Sequence, residues 1–255
     1  MKITALNSYL FILFLTAAVW AQEPAAQDRK ARAVGYNDRA VAEINDANYA
    51  AALEALSRAI ALEPRYATAY YNLGTAYVRL ARLENAAAAF RKALELHPRY
   101  AEAFNQLGVV YLEKGEHEKA IEALGQAVRL KTDDPTPFYN LGCAYIRQQK
   151  YVEAAAALEA AKRLDAGDPE IRFNLGFVYG RQRRFSAAIA EIAKAVEINP
   201  ADEQSQMLLS QFYIAAGERE AALAQYDKAK RENPELAGKL YREIFKDKIL
   251  ALAGK

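Results

Sequence analysis

The sequence has 255 residues, of which 53% are hydrophobic and 26% are charged. This composition is typical of a folded protein and argues against wholesale disorder. The net charge of +2 gives no reason to expect binding to nucleic acid or to a membrane surface, because such binders usually carry a basic excess. The single cysteine excludes an internal disulfide framework and any metal site built from several cysteines.

Residues 1–21 predict a signal peptide. Lys2 precedes an apolar run over residues 10–20, and the small residues Val19 and Ala21 suit the −3 and −1 subsites of a signal peptidase. An uncleaved membrane anchor is the alternative, although the run is short of the ~20 residues that a spanning helix needs. No cysteine lies near residue 21, which excludes lipid attachment there. We therefore expect an exported protein, periplasmic or secreted, whose residues 22–32 form a polar linker.

An eight-residue pattern recurs at intervals of 34 residues. Its four copies are YYNLGTAY at 70–77, FNQLGVVY at 104–111, FYNLGCAY at 138–145 and RFNLGFVY at 172–179. Continuing this register in both directions divides the chain into six repeats, whose positions we number 1 to 34. The repeats are residues 33–66, 67–100, 101–134, 135–168, 169–202 and 203–236.

Apolar and small residues recur at fixed positions of the repeat. Position 7 is leucine in five repeats, position 8 is glycine in four, position 11 is tyrosine in five, and positions 20 and 27 are alanine in all six. Spacings of three and four residues place them on one face of a helix. Each repeat is therefore predicted to form two helices, at about positions 2–14 and 18–30, joined by a short turn.

Proline and aspartate mark the predicted helix ends. Proline at position 32 stops the second helix in four repeats; these prolines are Pro64, Pro98, Pro200 and Pro234. In two other repeats the order Asp134-Pro135 and Asp168-Pro169 predicts an aspartate N-cap followed by proline at the first helical position.

Glycine inside a helix costs about 1 kcal/mol relative to alanine. Its recurrence at position 8 therefore predicts a close approach of the two helices, against the alanines at positions 20 and 27. The aromatic residues at positions 4, 11 and 24, the last including Phe90 and Tyr226, are then expected to fill the space between neighbouring repeats.

The pattern over residues 33–236 resembles the tetratricopeptide repeat (TPR) family. The features that carry the resemblance are an aromatic residue at position 4, Leu at 7, Gly at 8, Tyr at 11, Ala at 20 and 27, and Pro at 32. The resemblance implies an all-α fold, an α-solenoid in which six helix-turn-helix units form a right-handed superhelix. It also implies that the first helices line a concave groove.

The two ends depart from the repeat pattern. The first repeat has Arg39, Ala40 and Glu43 at positions 7, 8 and 11, which makes its first helix polar, as a terminal repeat requires. Residues 237–255 predict a capping helix over the last repeat. Its apolar stripe is Leu240, Tyr241, Ile244, Phe245, Ile249 and Leu252. A partner-binding or membrane-surface helix is the alternative.

No catalytic constellation is visible. His97 and His117 lack a second metal ligand at a usable spacing, and no glycine-rich phosphate loop or nucleophile elbow occurs. Asp133 and Asp134 are interpreted as turn and capping residues. Cys143 has no histidine nearby to activate it and is interpreted as a small, partly buried residue rather than a reactive thiol. We expect no catalytic residues, no metal and no cofactor.

The resemblance implies that positions 2, 5, 6, 9, 12 and 13 line the groove. Asparagine there can donate to and accept from a peptide backbone, aromatic rings offer stiff contact area, and arginine pairs with carboxylates. The candidate peptide-binding residues are Tyr71, Asn72, Arg79, Asn105, Tyr139, Asn140, Arg147, Phe173, Asn174, Phe177 and Arg181. The alternative is that these asparagines only follow the family pattern and that the arginines are merely solvated.

Together these features predict a non-catalytic scaffold that binds a peptide or protein of apolar and acidic character. The lysine at position 5 and asparagine at position 9, with which chaperone-binding members hold a terminal carboxylate, are not combined here, so that ligand is not expected. The export signal and six repeats resemble pilus-assembly TPR proteins, which usually carry a lipidated cysteine that this chain lacks. A self-associating structural protein is the alternative.

Arg181, Arg183 and Arg184 are interpreted as a solvated turn rather than a nucleic-acid contact.

Overall fold

The structure, a computed structural model, describes residues 26–245, which contain thirteen α-helices and no strand. The predicted signal peptide therefore lies outside the described residues, and so do Ile249 and Leu252 of the predicted capping helix. Helix α1 covers residues 26–45. The others are α2 Tyr49–Leu62, α3 Ala67–Arg79, α4 Leu83–Leu96, α5 Ala101–Glu113, α6 His117–Leu130, α7 Pro135–Arg147, α8 Tyr151–Leu164, α9 Pro169–Arg181, α10 Phe185–Ile198, α11 Glu203–Ala215, α12 Arg219–Glu232 and α13 Pro234–Ile244.

The helices fall into two compact bodies, which divide after Lys114. The N-terminal body, described over residues 26–114, holds α1 to α5, and the C-terminal body, described over residues 115–245, holds α6 to α13. Within each body the two helices of a repeat pack together, and the first helices of successive repeats are also neighbours: α3 contacts α5, α7 contacts α9, and α9 contacts α11. This arrangement is that of an all-α solenoid.

For helices α2 to α12 the predicted ends are confirmed to within one residue. Helices α3 and α4 occupy positions 1–13 and 17–30 of their repeat. The side chain of Asp134 accepts a hydrogen bond from the Thr136 amide, and that of Asp168 accepts from the amides of Glu170 and Ile171. These carboxylates satisfy backbone donors that the first turn of a helix leaves free, so both predicted N-caps are present.

The N-terminal linker prediction is wrong over residues 26–32, which belong to α1. This stretch is rich in alanine, glutamine, lysine and arginine, all good helix formers, and it contains no residue that would stop a helix. The Arg32 guanidinium lies 3.9 Å from the Asp28 carboxylate one turn earlier. Arg39, at position 7 of the first repeat, is exposed, whereas Ala40, at position 8, is fully buried.

Helix α13 covers the last hairpin, against α11 and α12, but it begins three residues earlier than predicted. Pro234 opens this helix, and the Asn233 side chain caps it by accepting from the Leu236 amide at 3.0 Å. The buried stripe is Leu236, Ala237, Leu240 and Ile244. Tyr241, which the sequence places in that stripe, is 44% exposed.

The glycines at position 8 do lie where two helices nearly touch, as predicted: the nearest side chain is that of position 24, and the backbone oxygen of the alanine at position 20 also lies close to Gly142 and Gly176. A Cβ added to Gly142 would lie 2.6 Å from Leu158 Cγ, and one added to Gly176 would lie 2.5 Å from Ile192 Cγ1. The Phe90 ring makes the corresponding contact with Gly74. Phe90 therefore packs inside its own hairpin, and the expectation that it also fills space between repeats stays a prediction.

The turn between the two helices of a repeat uses one backbone conformation throughout the described residues. Position 15 has a positive φ in every repeat, at Ala47, Ala81, Gly115, Gln149, Arg183 and Gly217. The Lys150 amide donates to Tyr145 O at 2.9 Å and the Gln149 amide to Ile146 O at 2.9 Å. This pair of bonds is the Schellman motif, which satisfies carbonyls that the helix end leaves free.

Arg172 stands at position 4 of its repeat, where four other repeats have an aromatic residue. Its guanidinium lies 2.9 Å from one carboxylate oxygen of Glu191 on α10. The Lys162 ammonium on α8 lies 2.9 Å from the other oxygen. One carboxylate therefore joins three helices of the C-terminal body, and all three side chains are largely shielded from water.

Replacement of Gly176 by alanine tests the close approach. Gly176→Ala is expected to lower the free energy of unfolding by about 1–3 kcal/mol, because the new methyl group must displace the buried Ile192 side chain. Gly125→Ala is the control, since its nearest neighbour is the flexible Arg129 guanidinium at 3.6 Å. Alanine should raise stability there by up to about 1 kcal/mol. Equal urea midpoints for Gly176→Ala and the natural chain would contradict the packing argument.

A second pair of substitutions tests the turn. Gln149→Gly should raise the free energy of unfolding by about 0.5–1 kcal/mol, because relief of a left-handed residue outweighs the entropy that glycine adds to the unfolded chain. Gly217→Ala should lower it by a similar amount for the converse reason. Thermal unfolding followed by circular dichroism measures both, and shifts of the same sign would refute the assignment.

Candidate functional site

In the N-terminal body, the candidate residues on α3 and α5 are largely engaged with their neighbours. The Asn72 amide donates to Asn37 Oδ1 of the preceding first helix at 2.7 Å, and Asn105 is buried. The Tyr71 ring is half-buried, and its centroid lies 5.0 Å from that of Tyr100. Burial raises the pKa of Tyr100 to about 12, so its hydroxyl stays protonated. Arg79 is exposed at the end of α3.

In the C-terminal body, a chain of hydrogen bonds links α7 to α9. The Asn174 amide donates to the Tyr139 hydroxyl at 3.2 Å, and that hydroxyl donates to Glu170 Oε2 at 3.2 Å. The Asn174 amide also donates to the Glu170 carbonyl at 3.0 Å. Burial raises the pKa of Tyr139, which keeps the phenol protonated as a donor. Because both donors of Asn174 are used, only its carbonyl oxygen remains for a ligand.

The same residues line a cleft of about 400 Å³ near the amino-terminal ends of α9 and α11. The cleft is lined by Tyr139, Pro169, Glu170, Phe173, Asn174, Asn199, Asp202 and Gln204. The structure thus brings three of the sequence-predicted candidates together, namely Tyr139, Phe173 and Asn174. It adds two carboxylates, Glu170 and Asp202, that sequence reasoning missed.

Each of the two carboxylates has a signal in the sequence. Glu170 occupies position 2, which the family resemblance assigns to the groove, and Asp202 occupies the same place before α11 as Asp168 before α9. The Asp202 carboxylate caps α11 by accepting from the amides of Gln204 and Ser205. The amides at the start of α11 therefore partly offset the charge of Asp202, whereas Glu170 keeps one carboxylate oxygen that can face a ligand.

The predicted arginines lie at the opposite ends of their helices and do not line the cleft. Arg147 and Arg181 are the last residues of α7 and α9, and both are exposed. The Arg181 guanidinium lies 5.1 Å from the Tyr151 ring centroid and 6.0 Å from that of Phe177. These rings hold Arg181 in place while its charge stays in solvent.

Cys143 and Asn140 lie on α7 and are half-buried. Burial raises the pKa of the Cys143 thiol, a change that hydrogen bonding to Tyr139 and the charge of Arg147 only partly oppose. The raised pKa keeps the sulfur protonated at neutral pH, which supports the interpretation of Cys143 as a packing residue.

Neither histidine has the surroundings of a metal ligand. His97 ends α4, with its ring 5.4 Å from that of Tyr100, and His117 opens α6. Within residues 26–245, no group of three or more histidine, cysteine, aspartate or glutamate side chains is placed to hold a metal ion.

None of the helices within residues 26–245 is both long enough and apolar enough to cross a membrane.

The sequence matches a known family over most of its length. The profile of the C-terminal domain of cilia and flagella-associated protein 70, a TPR domain, matches residues 17–242. Among curated proteins, none matches this sequence.

Several solved structures share the fold. That of pilF from Pseudomonas aeruginosa has a TM-score of 0.71 and 20% identity, over 85% of this chain and 99% of pilF. A tetratricopeptide repeat protein from Parabacteroides merdae has a TM-score of 0.66 and 18% identity, over 86% of this chain and 87% of that one. YrrB, described as a TPR protein with an unusual peptide-binding site, has a TM-score of 0.61 and 25% identity, over 72% of this chain and 94% of YrrB.

Proposed function

Because this chain belongs to the tetratricopeptide repeat family, whose fold is that of a protein-interaction scaffold, we propose that it binds a peptide segment of a partner protein. The binding surface is the face formed by the first helices of its repeats, and the protein is a non-catalytic adaptor. The peptide lies extended or as a short helix and carries apolar and acidic side chains.

A stripe of side chains on α9 is the observation that carries this proposal. Phe173, Asn174, Phe177 and Arg181 follow Glu170 by three, four, seven and eleven residues, which places them on one side of the helix. The two rings are half-buried, whereas the charged residues at the two ends are exposed. A surface of stiff aromatic area flanked by charge is suited to peptide recognition.

The charge at the carboxyl end of this face favours an acidic residue in the peptide. Arg147 and Arg181 are both exposed and stand one repeat apart at position 13. Arginine can bind a carboxylate through two parallel hydrogen bonds, which sets orientation as well as attraction.

Peptide selection tests this function. A random peptide library is selected on the immobilised full chain, and the affinities of the enriched peptides are measured. Arg147→Glu should weaken peptides that carry an acidic residue by about fivefold or more, because attraction becomes repulsion. Arg163→Glu is the matched control, since Arg163 is also exposed and in the last turn of its helix, α8. Failure to enrich any peptide, or equal losses in the two variants, would refute binding on the first-helix face.

We further propose that the protein acts outside the cytoplasm, in assembly of an envelope or secreted complex. Residues 1–21 support this proposal through their resemblance to a signal peptide. Self-association of a structural protein is the alternative role, and sedimentation velocity separates the two. A mass that rises with concentration favours self-association, and a monomer at all concentrations opposes it.

Export predicts a processed chain. Expression of the full sequence in a Gram-negative host should yield a periplasmic protein whose mass lacks residues 1–21. Ala21→Arg should block cleavage, because the −1 subsite accepts only a small side chain. The control Gln27→Arg adds the same charge beyond the site and should be processed normally. An intact chain in the membrane fraction would instead support a retained anchor.

A further inference from the structure

We infer that the cleft on the C-terminal body, lined by residues of α7, α9 and the start of α11, binds one positively charged side chain of the partner, an arginine or a lysine. This inference rests on the proposed function, because it specifies part of the peptide that the first-helix face recognises. It also revises the sequence-based expectation of a purely apolar and acidic ligand.

The charge of the cleft points to a cation. Glu170 and Asp202 both contribute carboxylates, and none of the eight lining residues is basic. The volume of about 400 Å³ falls within the range of small-ligand pockets, which is roughly 300–1,000 Å³. A cation that enters such a cleft meets negative charge without displacing an existing positive partner from the lining residues.

The position of the Glu170 carboxylate is fixed by the preceding repeat. Its Oε2 accepts the hydrogen bond of the Tyr139 hydroxyl at 3.2 Å, and that hydroxyl in turn accepts from the Asn174 amide. This directed chain leaves Oε1 as the acceptor for a ligand. An oriented carboxylate loses less conformational entropy on binding than one that is free to rotate.

The carboxylate is not required to cap its own helix. Acidic residues in the first turn often serve only to offset the helix dipole. In α9, however, Asp168 already accepts the amides of Glu170 and Ile171, at 2.7 Å and 3.3 Å. The Glu170 side chain turns instead towards Tyr139 on α7, which places its charge at the cleft.

Two aromatic rings complete the lining of the cleft. Tyr139 and Phe173 both border it and are half-buried. A guanidinium or ammonium group within about 6 Å of such a ring is attracted by the electrons of its face. The rings also cover the methylene groups of a long basic side chain, so arginine and lysine fit better than a small inorganic cation.

The cleft and Arg181 together set a charge spacing in the ligand. Glu170 and Arg181 are eleven positions apart on α9, which corresponds to about 16 Å along the helix axis. An extended peptide covers that distance in about five residues. The selected peptides should therefore place a basic residue about five positions from an acidic one.

The experiment uses small probes, so it does not need the natural partner. N-acetyl-arginine amide is titrated into the full-length, isotopically labelled chain, with N-acetyl-norleucine amide as a neutral probe of similar length. The expected result is that only the arginine probe shifts the amide resonances of residues that line the cleft. Its affinity should fall by about fivefold in Glu170→Gln, which keeps the size of the side chain and removes its charge.

Glu153→Gln is the control, because Glu153 is also an exposed glutamate in the first turn of its helix, α8. It should leave the affinity of the arginine probe unchanged. Equal binding of both probes, or equal affinity in Glu170→Gln and the natural chain, would overturn the inference. Selected peptides that lack a basic residue and bind Glu170→Gln as tightly as the natural chain would also overturn the inference of a cation site. They would leave the proposed peptide-binding function standing.

Discussion

The contact between position 8 and position 24 within a hairpin is the constraint on which the rest of the structure depends. In the three hairpins where it is described, a glycine faces Phe90, Leu158 or Ile192, with no room for a Cβ atom. The glycine costs helix propensity, but the large side chain opposite gains a fully buried place. Because this interlock sets the distance between the two helices, it also sets which residues of the first helix remain at the surface.

Polar residues at positions 5 and 6 connect successive first helices and lie on the face proposed to bind a peptide. Asn72 bonds to Asn37 in the N-terminal body, and Asn174 bonds to Tyr139 in the C-terminal body. Both pairs are separated by 35 residues, so each of these hydrogen bonds joins the first helix of one repeat to that of the next. The asparagines therefore serve the fold first, and they leave to the ligand only the hydrogen-bonding capacity that the neighbouring repeat has not used.

The face formed by the first helices of the C-terminal body carries opposite charges at its two edges. Carboxylates lie near the amino-terminal ends of α9 and α11, whereas Arg147 and Arg181 end α7 and α9. The arrangement agrees with the helix dipole and so has little energetic cost. A peptide with both signs of charge would be recognised in one direction only, which is how a repeat array of uniform frame acquires specificity.

The sequence by itself determined the period of 34, the ends of helices α2 to α12, the two aspartate caps and the family, because these depend on residues close together in the chain. It also indicated the close approach of the glycine to the alanine at position 20, but not the contact with the side chain at position 24, since that contact depends on the rotation of one helix against another. Only the tertiary structure placed Glu170 beside Tyr139, and only it showed that both donors of Asn174 are occupied. The two contacts with Tyr139 join side chains more than 30 residues apart, and no local pattern of hydrophobicity encodes them.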